Sequence, residues 1–99
     1  MPISGKRSPF QTADLNKVPE DNGVFQLLSS GKTIYFGYAD EAGLKSKIRE
    51  HYTGKHGSCT KIATGFKYEV HEDPQARCEQ LLKEYEKKFG IVPRCNLSD

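Results

Sequence analysis

Gly23-Val24-Phe25-Gln26-Leu27-Leu28-Ser29-Ser30-Gly31-Lys32-Thr33-Ile34-Tyr35-Phe36-Gly37-Tyr38-Ala39 is the stretch on which the fold turns. Two runs rich in β-branched and aromatic residues flank Ser-Ser-Gly-Lys, the composition of a β-hairpin. A three-residue loop, Ser29 to Gly31, puts Gly31 at the left-handed position that such loops place last, and Leu28 then faces Lys32. Counting back sets Phe25 opposite Tyr35 and places Gly23, Phe25, Tyr35 and Gly37 on one side of the sheet. A two-residue loop would pair Phe25 with Phe36 and turn Tyr35 to the other side, and the glycine favours the first register.

Downstream, Asp40 is a candidate N-cap for a helix over Glu41 to Tyr52, in which Leu44, Ile48 and Tyr52 recur at i, i+4 and i+8 before Gly54. Lys47 and His51 share a ridge beside that apolar stripe, with Lys45 and Arg49 farther round. Residues 53–64, rich in Gly, Ser and Thr, predict a loop with a short helical turn around Thr60 to Thr64. Phe66 to His71 alternates and predicts a strand with Phe66, Tyr68 and Val70 inward. Asp73-Pro74 opens a second helix, in which Cys78, Leu81, Leu82, Tyr85 and Phe89 form a core stripe, and Gly90 closes it. Glu79 flanks that stripe, so its carboxylate is expected at the edge of the core. The tail from Ile91 to Asn96 reads as extended. Residues 1–21 contain Pro2, Pro9 and Pro19 and show no sustained period, which predicts an irregular arm ahead of a domain over 22–96.

Ninety-nine residues allow one domain with a modest core, burying roughly 60–65% of the unfolded surface. The fractions of 35% hydrophobic and 28% charged residues suit a soluble globular chain, and no apolar run approaches the roughly 20 residues of a membrane span. The N-terminus has basic residues with no apolar stretch after them, so no secretory signal is read and a cytoplasmic address is expected. Cys59, Cys78 and Cys95 cannot all pair within one chain and form no C-x-x-C unit, so reduced thiols are expected. His56 and Cys59 stand at an H-x-x-C spacing and with Cys78 and Cys95 make up four donors, a weak zinc pattern.

The net charge of +2 argues little, but its distribution is uneven. Between Leu44 and Lys67 stand Lys45, Lys47, Arg49, Lys55, Lys61 and Lys67 against Glu50 alone, with His51 and His56 among them. Acids gather from Glu69 to Glu86, which predicts one basic and one acidic region.

Gly23-Val24-Phe25 followed by Tyr35-Phe36-Gly37, then Leu44 to His51, Glu79, and Pro93 to Asn96 resemble, in this order, the landmarks of the GIY-YIG endonuclease family. The resemblance implies an α/β fold of the α+β kind, a small three-stranded antiparallel sheet flanked by helices, and cleavage of DNA with a divalent metal ion. Phe25 falls where the family has its first tyrosine, keeping the ring without the hydroxyl; Tyr35 falls on the second tyrosine, which borders the site. Lys47 stands where the family usually has an arginine, retaining charge without the bidentate fork. His51 matches a position that is often histidine or tyrosine and is a candidate base or hydrogen-bond donor. Glu79 matches the single metal-binding glutamate, a sparse site that suits a Mg²⁺ or Mn²⁺ ion keeping most of its waters. Asn96 matches a terminal asparagine near the site, and Lys45, Arg49, Lys55 and Lys61 would hold the strand through its phosphates.

The resulting expectation is a metal-dependent DNA endonuclease, branched or damaged DNA among its substrates, in which the Tyr35 hydroxyl and the Glu79 carboxylate converge on one cleft. The departures at Phe25 and Lys47 leave open a catalytically impaired GIY-YIG fold that binds nucleic acid. A protein-interaction or zinc-stabilised module is the third reading. Relatives often join this domain to a separate DNA-binding domain, so a targeting protein partner is also expected.

Overall fold

The computed structural model describes Ile3, residues 7–41 and residues 43–97. Residues 1, 2 and 4–6 of the predicted arm and Ala42 of the predicted first helix lie outside the described residues. In chain order the elements are β1 (Ser8–Pro9), α1 (Thr12–Leu15), β2 (Gly23–Ser29), β3 (Lys32–Ala39), α2 (Leu44–Thr53), α3 (Ser58–Lys61), β4 (Gly65–Val70), α4 (Pro74–Phe89) and a 3-10 turn (Arg94–Asn96). No helix among the described residues is long and apolar enough to cross a membrane.

The strands form one antiparallel sheet in the order β1-β4-β2-β3, four strands where three were expected. The extra strand comes from the lead-in: Ser8 faces Phe66 and Pro9 faces Gly65, and Phe10, Leu15 and Val18 behind it are buried. A two-residue strand carries no period to read, and Pro9 is tolerated there because an edge strand needs fewer of its amides.

β2 and β3 are joined by Ser30 and Gly31, both at positive φ (52° and 82°), the pattern of a two-residue type I′ turn in place of the expected three-residue loop. Ser29 faces Lys32 and Leu28 faces Thr33; a bulge at Ile34 then sets Leu27 opposite Tyr35 and Phe25 opposite Gly37. The turn and the bulge each shift the register by one residue, and two such shifts cancel in parity. Phe25 and Tyr35 therefore do share a face, as diagonal neighbours and not as the directly opposed pair expected. Position 37 must be glycine for the Phe25 ring to lie across it, since a Cβ there would fall 2.4 Å from that ring.

Each face of the sheet carries its own core. Phe25, Leu27, Ala39 and Phe66 pack with Leu44 and Ile48 of α2 and with Phe10, Leu15 and Val18, and Tyr35 and Tyr68 lean on this cluster. Val24 and Phe36, on the other face, pack with Cys78 and Leu81 of α4, joined by Tyr38, Leu82 and Tyr85. The sheet is thus sandwiched between α2 and α4. Val70, expected inward, is 53% exposed because it stands at the end of the ladder opposite Gly23, which has no side chain to cover it.

α2 begins at Leu44 and not at Glu41, and Asp40 does not cap it; Gly43 does, at φ 86°. Its first amides are taken by the lead-in: Leu44 N–H donates to Asp21 O (3.0 Å), Lys45 N–H to Pro19 O (3.3 Å) and Ser46 N–H to Glu20 Oε1 (2.9 Å). Those bonds satisfy the orphan donors of a helix start from a distance and fix residues 19–21 against it. α4 follows expectation, with the Asp73 carboxylate accepting from Ala76 N–H, Pro74 in the first turn and left-handed Gly90 at the end. The short turn falls at Ser58–Lys61, earlier than predicted, and the tail ends in a 3-10 turn where an extended segment was expected.

Cys59 and Cys95 form a disulfide, their Cα atoms 5.6 Å apart, which corrects the expectation of three reduced thiols. The partners are 36 residues apart in sequence and meet only because α3 and the tail return to the same region, a proximity that cysteine spacing does not record. Cys78 remains a thiol, buried under α4, and burial together with the neighbouring Glu79 charge pushes it up to about 11.

Candidate nucleic-acid interface around His51

β2 supplies Phe25, β3 supplies Tyr35, α2 supplies His51, and the loop between the left-handed glycines Gly54 and Gly57 supplies His56. Their rings form one contiguous group. Phe25 and Tyr35 lie 6.0 Å apart between centroids, Phe25 and His51 5.4 Å, Tyr35 and His51 4.9 Å, and His56 stacks on His51 at 4.3 Å. His51 recurs one turn after Lys47, as the helical spacing requires, but this flank of α2 is turned into the core and the ring is only 2% exposed.

The His51 Nδ1 meets Thr60 Oγ1 at 2.9 Å, while its Nε2 is buried without a hydrogen-bond partner among the described residues. Burial first, then the nearby His56 and Lys47, pushes the His51 pKa down to about 4, so the imidazole is neutral at pH 7. His56 sets its Nε2 2.7 Å from Glu50 Oε1, and Lys55 Nζ lies 3.7 Å from Glu50 Oε2. The His56 hydrogen bond, aided by the charges of Lys55 and Lys47, holds the Glu50 carboxyl below the usual range against its partial burial. Lys61 completes the rim: its side chain passes Gly54, where a Cβ would fall 3.1 Å from it.

The other sequence-selected residues lie elsewhere. Arg49 donates to Asn16 Oδ1 and Lys45 bears on Glu20, so both serve the flank of α2 that faces the lead-in. Asn96 engages the backbone of Phe36 through its carboxamide, next to Tyr35 in sequence but not in the ring group. Glu79 is exposed on α4. Phe36 packs on Tyr85 of α4 at 6.1 Å, whereas its chain neighbour Tyr35 packs on His51 of α2. Successive residues of a strand point to opposite faces, so Phe36 turns to α4 and Tyr35 to α2.

Mg²⁺ and Mn²⁺ want oxygen donors, and the buried donor beside Tyr35 is an imidazole nitrogen. Among the described residues, no group of three or more His, Cys, Asp or Glu side chains could hold a metal ion. A cation held by one carboxylate, its own waters and a phosphate needs no such group. The zinc set fails, since Cys59 and Cys95 are bonded to each other and Cys78 lies across the sheet.

Arg77 is a structural residue that the sequence reading passed over. It is 7% exposed, and its Nε and Nη2 donate to Glu69 Oε2 and Oε1 at 2.7 and 3.2 Å, tying α4 to β4. The opposite charges flanking the strand-to-helix corner were the signal for it. Arg77 raises no question of catalysis, because α4 holds it on the face away from Tyr35.

No protein-family model matches the chain, and no curated protein does. Solved structures do. The GIY-YIG N-terminal endonuclease domain of UvrC from Thermotoga maritima, as a tyrosine-to-phenylalanine point mutant bound to the catalytic divalent cation, is 22% identical, with a TM-score of 0.59 over 84% of this chain and 90% of that one. The same domain bound to magnesium is 20% identical, with a TM-score of 0.56 over 86% of this chain and 98% of that one. The chain has a GIY-YIG-type fold.

Proposed function

We propose that this GIY-YIG-type chain binds nucleic acid, DNA in the first instance, at the rim formed by Lys47, Lys55, His56 and Lys61. The observation that supports this reading is His56: its side chain is 34% exposed, stacked on the buried His51 ring, with cations on either side and Glu50 as the carboxylate between them. An exposed ring among cations suits a strand whose bases stack and whose phosphates are neutralised. Affinity of that kind is salt-dependent and largely independent of sequence. Fluorescence anisotropy with labelled single-stranded and duplex DNA, in EDTA at low and at physiological salt, tests it. Binding is expected to weaken with salt and to fall about tenfold or more in a Lys55→Glu, Lys61→Glu double variant. Absence of binding at low salt, or indifference to the double variant, removes the reading.

One observation favours a second reading, hydrolysis of the phosphodiester. The His51 imidazole is neutral, its Nε2 has no partner among the described residues, and Tyr35 lies beside it, so a proton acceptor is present once the His56 ring moves aside. Plasmid nicking with Mg²⁺ or Mn²⁺ separates the cases. Nicking lost in His51→Ala but kept in Glu79→Ala supports an imidazole-centred hydrolase, nicking lost in Glu79→Ala supports a carboxylate–metal scheme, and no nicking by the wild type leaves binding alone.

A further inference from the structure

We infer that the Cys59–Cys95 bond is a site of thiol–disulfide exchange, reduced by a small dithiol, that governs the interface around His51. The exchange stands by itself, while its effect on affinity rests on the nucleic-acid reading above. The bond joins α3 to the 3-10 turn of the tail. Each cysteine precedes a residue that holds the interface. Thr60, after Cys59, places its hydroxyl on His51 Nδ1 at 2.9 Å. Asn96, after Cys95, clamps the backbone of Phe36, the residue that follows Tyr35. Both cysteines also pack against the core cluster that contains Phe25 and Tyr35.

α3 is four residues long, too short to persist through its own hydrogen bonds, so its position depends on such ties. Cutting the bond frees α3 and the tail together. The His51 ring then loses its Thr60 support and β3 loses its clamp beside Tyr35.

The two sulfurs are unequal. Cys95 is 3% exposed and Cys59 is half-buried, so an incoming thiolate attacks the Cys59 sulfur. The S–S bond breaks, Cys95 leaves as thiolate and takes a proton, and a mixed disulfide remains on Cys59. The second thiol of the reductant attacks its own bound sulfur, releasing Cys59 as a thiol and leaving the reductant as a cyclic disulfide. Two electrons and two protons pass to the protein, and an oxidised dithiol reverses the exchange. Cys78 stays out of it, buried across the sheet.

The test compares the whole chain before and after dithiothreitol, using thiol labelling with mass spectrometry, amide hydrogen exchange, and anisotropy with labelled single-stranded DNA. Reduction is expected to make Cys59 and Cys95 labelable while Cys78 stays unlabelled, to remove protection from the Phe36 amide, and to weaken DNA binding several-fold. A Cys59→Ser, Cys95→Ser variant should behave as the reduced chain and ignore the reductant. Labelling of Cys59 and Cys95 in the untreated chain overturns the proposal. So does unchanged Phe36 protection with unchanged affinity after reduction, or global unfolding on reduction, since the bond would then hold the whole fold and not the interface. Loss of Phe36 protection in a chain that binds no DNA in either form upholds the exchange and sinks the binding reading.

Discussion

Asn96 closes on the backbone of Phe36 from 60 residues away: its Oδ1 accepts from the Phe36 N–H and its Nδ2 donates to the Phe36 C=O, each at 3.0 Å. β3 is the last strand of the sheet, so this carboxamide occupies the place of a further strand. Asn96→Ala leaves both partly buried groups without their partner and is expected to cost about 1–3 kcal/mol. For a domain of this size that lowers the melting temperature by roughly 4–8 °C per kcal/mol, a fall that thermal unfolding followed by circular dichroism will show. An unchanged melting temperature would mean that solvent replaces the clamp at no cost.

The buried His51 makes stability depend on pH in a defined window. Its folded pKa of about 4 lies below the ordinary 6.5, so between those values the unfolded chain takes up a proton that the folded chain refuses. Stability is therefore complete above about pH 6.5 and declines as pH falls toward 4, by up to about 1.4 kcal/mol per pH unit. Glu50 and Glu69, both held below 4.5, add their own losses only at lower pH, so the interval from 6.5 to 5 is free of them. Urea unfolding of the wild type and of His51→Gln across that interval should show a steeper decline in the wild type.

Arg77 and Glu69 make a forked pair beneath α4. The Arg77 hydrogen bond keeps the Glu69 carboxyl below the usual range, and removing the guanidinium leaves a carboxylate that is 25% exposed without its main partner. Arg77→Met is expected to destabilise by about 2–4 kcal/mol, discounted from a fully buried pair because Glu69 keeps some water. Arg77→Lys should recover part of that loss and not all, as the fork is replaced by a point charge. Chemical denaturation of both variants decides it; equal losses would show that the fork has no role.

Ser30 stands at φ 52° in the hairpin turn, a conformation that costs a residue with a Cβ about 1–2 kcal/mol unless its side chain suits it. Asparagine is the favoured first residue of this turn type when glycine follows, and Gly31 follows here. Ser30→Asn should raise stability by roughly 0.5–1 kcal/mol, whereas Ser30→Val should lower it. The bond from Ser30 N–H to Thr64 Oγ1 is to the backbone and survives both changes. A drop in the urea midpoint for the asparagine variant would contradict the turn assignment.

The hairpin, both long helices and their faces could be read from residue order because alternation and the three-to-four spacing report which side chains share a side. The register could not: Gly31, which favours a three-residue loop, also fits the two-residue turn that forms, and no residue type announces the bulge at Ile34. The grouping of Phe25, Tyr35 and His51 was reachable, since α2 must cover the face on which its stripe packs. The placement of α4 was not. Landmark order along a chain carries no information about which side of the sheet a later helix takes, and that side is set by Cys78 and Leu81 docking under Phe36. β1 and the disulfide escaped notice for a related reason: two residues show no period, and a link across 36 residues leaves no local mark.

The sheet has two outer strands, and each is guarded. β1 is two residues long and ends in a proline that has no amide to offer, while β3 carries the Asn96 carboxamide at its middle. A second copy of the chain seeking to extend the ladder beyond β3 would first have to evict a tail fastened by a covalent link to α3. Resistance to fibril-like stacking is thereby entrusted to sulfur chemistry: in a strongly reducing medium this protein should become stickier at high concentration before it becomes unfolded.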